Sequence, residues 1–289
     1  MRDWLTAAER RLRAAHLHFG HGTRDARDEA AWMLTHVLRI SHEELARSAD
    51  RGLTVQQQRK TLRLIDERVR TRKPLAYLIH EAWLGDHRFY VDERAVVPRS
   101  FIAELLRHRL RPWVSRPSKV HRALDLCTGS GCLAILVALA FPRTKVDATD
   151  VSLPALAIAR KNVRTYHLGR RIRLARADLF SRLQSVRYDL IVANPPYVDR
   201  KAMKRLPREY RHEPRLALDG GIDGLEFVRE ILLGARKFLR PGGLLVVEVG
   251  HNRRRVERMF PRLALVWPET SAGDDCVFLL NREDLPGEP

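Results

Sequence analysis

No apolar run in this 289-residue chain approaches the roughly 18 residues that a membrane helix needs. The first residues set Arg10, Arg11 and Arg13 beside Asp3 and Glu9 and contain no apolar signal core, so neither an anchor nor a secretory or transit leader is expected. Cysteine is scarce: Cys127, Cys132 and Cys276 are too few for a disulfide framework and suit a reducing cytosol, which makes a cytoplasmic location the expectation. His16, His18 and His21 lie close in sequence but lack a carboxylate or cysteine at ligand spacing, and no zinc spacing accompanies the cysteines, so no metal is expected. Repeats and low-complexity tracts are missing too. Acidic residues are in deficit, 35 against 53 Lys+Arg, for a formal net charge of +18. That excess suits contact with ribosomal RNA or equally a solvated, arginine-rich surface, Arg253-Arg254-Arg255 being of the second kind.

What the chain does have begins with Asn194-Pro195-Pro196-Tyr197, directly after the run Tyr188-Asp189-Leu190-Ile191-Val192-Ala193. The run is short, β-branched and stopped by proline, which predicts a buried parallel strand. Two successive prolines donate no backbone hydrogen bond and fix φ, so they make a stiff turn at the strand's carboxyl end, the edge where open α/β sheets bind ligands. The turn presents the Asn194 amide, nearby carbonyls and the Tyr197 ring; the bland alternative is a rigid connection without chemistry.

A second motif, Asp125-Leu126-Cys127-Thr128-Gly129-Ser130-Gly131-Cys132, joins the apolar segment 122–126 to an apolar helix, Leu133 to Phe141. Gly129 and Gly131 allow the backbone to approach a ligand where a Cβ would clash. The next strand, Lys145 to Asp150, ends in an acid about twenty residues beyond the first glycine, the spacing at which a carboxylate meets a ribose diol. A third strand is expected to close at Ala177-Asp178-Leu179-Phe180, where Asp178 is a candidate to bind an adenine amino group. These motifs at successive strand ends describe a nucleotide site. Ala134 occupies the third position of G-x-G-x-x-G and no Gly-Lys-Ser/Thr follows, which disfavours a dinucleotide or a P-loop triphosphate.

The pattern resembles S-adenosylmethionine-dependent methyltransferases with a Rossmann-like α/β sheet. With Asn-Pro-Pro-Tyr it is similar to those that methylate planar amino nitrogens of adenine, guanine or glutamine. The resemblance implies that Asn194, Pro195, Pro196 and Tyr197 form the catalytic turn, Asn194 gripping the target amine and Tyr197 packing on its plane or filling the pocket wall. It also implies S-adenosylmethionine contacts at Asp125, Cys127, Thr128, Gly129, Ser130, Gly131, Asp150, Asp178, Leu179 and Asn194, with Asp125 either bracing the loop or binding the cofactor's ammonium group. Further runs, Arg72 to Leu78, Phe89 to Arg99, Glu209-Tyr210-Arg211-His212-Glu213-Pro214 and Leu218 to Leu225, resemble the glutamine methyltransferases acting on translation proteins. The Glu209–Pro214 run and the Cys-bearing glycine loop look like the branch acting on the third protein of the large ribosomal subunit. Leu179 departs from the release-factor branch, where an aromatic often follows the acid. Release-factor methylation, nucleic-acid amino methylation and a non-catalytic RNA-binding role are the competing readings.

The expected organisation is a helical substrate-recognition domain over 1–82, a linking hairpin over 83–99 and a Rossmann-like domain over 100–289. Leu5, Ala8, Leu12 and Ala15, then Ala30, Leu34, Val37 and Leu38, then Leu62, Ile65 and Val69, recur at helical spacing. Alternation from Trp83 to Pro98 predicts the hairpin, and the later elements are a helix from Leu225 to Leu239, a Pro241-Gly242-Gly243 turn, a strand from Leu244 to Val249 and a final hairpin including Val277–Leu280. Glu43 and Glu44 are either docking charges for a basic protein substrate or part of a solvated helix face.

Overall fold

The computed structural model describes residues 1–48, 52–181, 183 and 186–287. The described residues up to 79 form the helices α1 (Arg2–Ala14), α2 (Ala26–Leu38), α3 (His42–Arg47), α4 (Val55–Thr71) and α5 (Leu75–Ile79). Local chemistry sets their ends. Asp25 caps α2 by accepting from the Arg27 and Asp28 N–H groups, and Thr54 with Gln57 forms a capping box on α4. Arg72 ends α4 in the left-handed conformation (φ 59°), just before Lys73-Pro74. Ala8, Leu12, Ala30, Met33 and Ile65 turn inward into one apolar cluster.

A short hairpin follows, β1 (Ala82–Leu84) paired antiparallel with β2 (His87–Phe89). It is shorter than the alternation up to Pro98 predicts, and the reason lies in who binds the later backbone. The Tyr90 N–H donates to Asn162 Oδ1 and the Val97 N–H to Glu213, so these groups serve tertiary contacts in place of a ladder. Leu84 and Phe89 pack into the sheet's core, while Val91 and Val97 pack into the helical one.

The remaining elements are α6 (Ile102–Arg107), β3 (Arg122–Leu126), α7 (Cys132–Ala140), β4 (Lys145–Asp150), α8 (Leu153–Thr165), β5 (Ile172–Arg176), β6 (Tyr188–Ala193), α9 (Arg200–Met203), α10 (Glu226–Phe238), β7 (Leu239–Glu248), α11 (Arg253–Met259) and β8 (Val277–Asn281). The six strands from β3 onward form one sheet in the order β5-β4-β3-β6-β7-β8, parallel except for β8. Side chains alternate between its faces. Ala123, Leu190, Val192, Leu244 and Val246 meet α6, α7 and α8, whereas Leu124, Ile191, Leu245 and Phe278 meet α10 and α11. This is the three-layered Rossmann-like architecture the motifs implied. Strands β3, β4 and β6 have the expected ends. β5 stops at Arg176, before Asp178, and β7 starts at Leu239, pairing with Tyr188, so the Pro241-Gly242-Gly243 stretch lies inside the strand beside a break in register.

The order of strands reverses beside β3, whose neighbours β4 and β6 run away from it on opposite sides. A crevice is expected at the carboxyl end of such a switch point. Among the described residues no helix is long and apolar enough to cross a membrane.

Candidate active site

The crevice is present. Its lining brings Cys127 and Gly129 from the β3–α7 loop together with Asp150 from β4, Asp178 and Leu179 from beyond β5, and Asn194 and Pro196 from the β6 turn. Ala95 and Leu216 complete its walls from the hairpin side and from the later loop. Seven of the residues singled out by sequence therefore face one space.

Others stand behind it. Asp125 is fully buried: its Oδ2 accepts from Thr128 Oγ1 at 2.5 Å and from the Ala134 N–H at 2.9 Å, so it braces the loop against the start of α7. Burial, with the nearby Asp150 charge, pushes its pKa up to about 7. Thr128 and Ser130 are buried as well. Gly129 (φ 54°) and Gly131 (φ 81°) differ in what their missing side chains allow. At Gly129 a Cβ would meet nothing nearer than 4.0 Å, whereas at Gly131 it would come within 3.1 Å of Ala159 Cβ. Gly131 thus lets α8 close on the loop, and Gly129 leaves room at the cavity.

Asp150 links the loop to the next helix, Oδ2 accepting from the Gly129 N–H and Oδ1 from the Ser152 N–H, each at 2.8 Å. Burial raises its pKa. A carboxylate oxygen has two lone pairs, so both oxygens keep one for a ligand hydroxyl. Asn162, buried on α8, ties the loop to the hairpin segment by donating to the Ser130 and Tyr90 carbonyls at 2.9 and 3.0 Å.

At the β6 turn the Asn194 Nδ2 donates to the Arg99 carbonyl at 3.3 Å. No described residue donates to its Oδ1 or to the Pro195 carbonyl. Pro195 is buried. Tyr197 is half-buried, its pKa raised by burial, and it is not among the residues lining the crevice. Its ring lies against Gly250, where a Cβ would come within 2.7 Å, and its carbonyl accepts from Asn252 Nδ2 at 3.1 Å. On the other side the 218–224 loop crosses the turn: Val198 bridges Asp219, and a Cβ on Gly220 would sit 2.8 Å from the Pro196 carbonyl. Gly220 and Gly224 are needed because backbone meets backbone there, while Gly221 lies against the Glu226 side chain.

The Glu209–Pro214 run joins the helices to the sheet. Glu209 accepts from the His18 N–H at 3.0 Å and pairs with Arg72 at 2.9 Å; burial would raise its pKa, but these contacts bring it below the ordinary value. Glu213 receives Arg99 Nη1 at 2.8 Å, Arg99 Nη2 at 2.6 Å and the Val97 N–H at 3.0 Å. Burial alone would raise Glu213, but Arg99 and His21 hold its pKa at about 2. The rings of His18 and His21 flank Tyr210 at 5.5 and 4.4 Å, and burial lowers the His21 pKa. Another buried carboxylate, Glu248, accepts from Ser100 Oγ at 2.5 Å and the Phe101 N–H at 2.9 Å, its pKa raised to about 7 by burial.

Comparison with known proteins fits this geometry. Family models for the methyltransferase small domain and the PrmC N-terminal domain match residues 104–209 and 3–79. The ribosomal protein uL3 glutamine methyltransferase of Neisseria meningitidis is 52% identical over 288 residues, covering 100% of this chain and 95% of that protein. The chain belongs to the ribosomal protein uL3 glutamine methyltransferase family. Its members of the same name in Bordetella pertussis and Francisella tularensis are 50% and 35% identical, each match covering 99% of this chain and 96% and 91% of theirs. Among solved structures, the hMettl16 catalytic domain in complex with MAT2A 3'UTR hairpin 6 aligns with a TM-score of 0.53 at 16% identity, over 82% of this chain and 85% of that one, a likeness of fold.

Arg99, Asn162, Gly250 and Glu248 received no role from sequence. Arg99 stood inside the Phe89–Arg99 run, a signal of a constrained segment, but a buried partner over a hundred positions away leaves no local trace.

Proposed function

We propose that this protein transfers a methyl group from S-adenosylmethionine to the side-chain amide nitrogen of one glutamine in ribosomal protein uL3. The observation that carries the reading is Asn194: its Nδ2 is engaged by the Arg99 carbonyl, its Oδ1 is left open, and it shares one crevice with Gly129 and Asp150. Full-length identity with relatives named for uL3 glutamine methylation supports the substrate.

The residues present suit the cofactor. Asp150 and Asp178 offer acceptor oxygens to hydroxyl and amino donors, Gly129 leaves space beside them, and Cys127 and Leu179 provide apolar contact. We assign the remaining loop residues, Asp125, Thr128, Ser130 and Gly131, to holding that wall in place. When bound, S-adenosylmethionine supplies an electrophilic methyl on a sulfonium. The chain must then present the amide nitrogen, a poor nucleophile because its lone pair is delocalised into the carbonyl. Asn194 Oδ1 and the Pro195 carbonyl accept its two N–H groups, orient the lone pair and favour the positive charge that grows on nitrogen. A strong base is unnecessary, because the nitrogen becomes acidic only as the methyl arrives. Pro196 lines the crevice beside the flat amide, and Tyr197, packed against Gly250, backs the turn that carries it.

In this reading the segments 1–82, 83–99 and 100–289 are the recognition, linking and catalytic parts of a cytoplasmic enzyme. Glu44 is already used in the α3 capping box and Glu43 pairs with Arg47, which favours the solvated-face reading of both. Arg39, Lys60 and Arg63 line a groove on the helices and form no ion pair among the described residues, so an RNA segment of an assembling subunit suits them better than a basic protein does.

The test is purified enzyme and labelled S-adenosylmethionine with uL3, with release factors, and with nucleic acid, the methyl being located by mass spectrometry. One methylated glutamine on uL3 is expected. Methylation of release factors alone would move the chain to the sister branch, and a methylated base would overturn the protein substrate.

A further inference from the structure

An asparagine amide presents an acceptor at one end and donors at the other, in nearly the same shape. If the Asn194 side chain turned over, it would offer N–H groups to a substrate that itself brings N–H groups, and the two would repel. Something must therefore fix the amide's sense, and the one described contact able to do so is the Arg99 carbonyl, which accepts from Nδ2.

The position of that carbonyl is in turn held from the side. Val97-Pro98-Arg99 is stiff at its centre, because Pro98 has a fixed φ and no N–H. Glu213 grips this unit at both ends, taking the Val97 N–H on one side of the proline and the Arg99 guanidinium, through two nitrogens, on the other. A planar two-point ion pair sets direction as well as distance. The carboxylate is buried, and its remaining neighbour is His21 of the helical region, with Nε2 at 3.5 Å. Beyond Arg99, Ser100 and Phe101 are held by Glu248.

We propose that Glu213 is a positioning residue for methyl transfer: through Arg99 it fixes the backbone carbonyl that aims Asn194 Oδ1 at the substrate amide. The proposal rests on the role given to Asn194 above. Glu209 provides the contrast, since it is buried in the same run and binds Arg72 and the His18 N–H, with no contact to Arg99. A purely architectural role would make the two carboxylates equivalent.

The experiment is a double-mutant cycle read by single-turnover methyl transfer at saturating cofactor and uL3, using Glu213→Gln, Asn194→Ala and the combination, with Glu209→Gln alongside. Glu213→Gln is expected to slow transfer by about ten- to a hundred-fold, the scale of a misaligned reacting group. In the Asn194→Ala background the same change should matter less than about two-fold, because there is no amide left to aim. Calorimetric affinity for S-adenosylmethionine should stay unchanged in Glu213→Gln, and Glu209→Gln should lower the melting temperature while keeping the transfer rate. Equal losses from Glu213→Gln in both backgrounds, or an unimpaired rate in that single variant, would overturn the proposal. Full activity in Asn194→Ala would instead overturn the reading of the turn on which it rests. Should Glu213→Gln fail to fold, Arg99→Lys keeps the charge and the carbonyl but loses the two-point pair; it should show the same dependence on Asn194, and an unimpaired rate there would count against the proposal equally.

Discussion

Leu190, Val192, Leu244 and Val246 fill the sheet's interior with nothing but hydrocarbon, whereas Arg68, Glu29, Glu209 and Glu213, buried to a similar degree, gather where the helical region meets the 209–213 run. Arg68 donates through Nε to Glu29 at 2.7 Å and gives its other nitrogens to the Arg72 and His18 carbonyls, each at 3.0 Å. Apolar contact is non-directional, so a core built from it needs only the right volume. A buried guanidinium accepts few geometries. The contrast shows where this protein needs compactness and where it needs one register between separate parts. At the strand ends a further pair, Asp125 and Asp150, has backbone and hydroxyl donors in place of a cation partner among the described residues.

The largest effect should come from breaking the seam. Glu29→Ala leaves the Arg68 charge buried and short of its partner, and chemical denaturation is expected to show a loss of about 3–5 kcal/mol. Ile231→Val, at an equally buried place on α10, should lose only about 0.5–1.5 kcal/mol. Equal losses would erase the distinction between seam and core.

Asp150→Ala should separate the strand ends from both. One charge-assisted contact to a ligand is worth about 1.5–3 kcal/mol, so calorimetric affinity for S-adenosylmethionine should fall ten-fold or more in a protein that remains folded. Unchanged binding would leave Asp150 as a brace between the loop and α8.

Acidity gives the smallest and most diagnostic signal. Asp125 has a folded-state pKa of about 7, above its ordinary 3.8, so its contribution is complete below that ordinary value and is lost as pH rises toward and through 7. Glu213, held at about 2 against an ordinary 4.5, contributes in the opposite sense: its stabilisation is complete above 4.5 and disappears as pH falls through 2. Denaturation curves for Asp125→Asn should therefore lose part of the decline between pH 4 and 7, Glu248, Asp150 and Glu29 carrying the remainder, and keep the acid limb. An unaltered decline would show that the Asp125 charge is better compensated than its surroundings suggest.

Much of this was legible beforehand for identifiable reasons. β3 and β6 are short, mostly apolar runs and β4 a more polar one, closed by a glycine loop, a proline and an acid respectively, and those marks fix their ends locally. The Asn194 turn and Asp150 were found because strand ends in such a sheet converge on one edge. The seam was not legible, since Arg68 and Glu209 look like ordinary surface charges until the fold brings them together. The second demand on Gly131 was equally hidden: an open turn and a helix pressed against the backbone both call for glycine, and only the fold reveals Ala159 beside it.

The Arg68 arrangement also bears on how the chain is made. Glu29, its strongest partner, precedes it, so the helical region has an internal counter-charge as soon as α4 leaves the ribosome, on the order of ten seconds before Glu209 is synthesised at usual elongation rates. The turn at Asn194 has, among the described residues, only the Arg99 carbonyl as an earlier partner, and Glu213, which holds Arg99, comes later. Gly220, Gly250 and Asn252, which enclose it, all come later in the chain. Vectorial synthesis thus delivers first a helical region whose buried Arg68 already has its counter-charge, and the enclosed catalytic turn near the end.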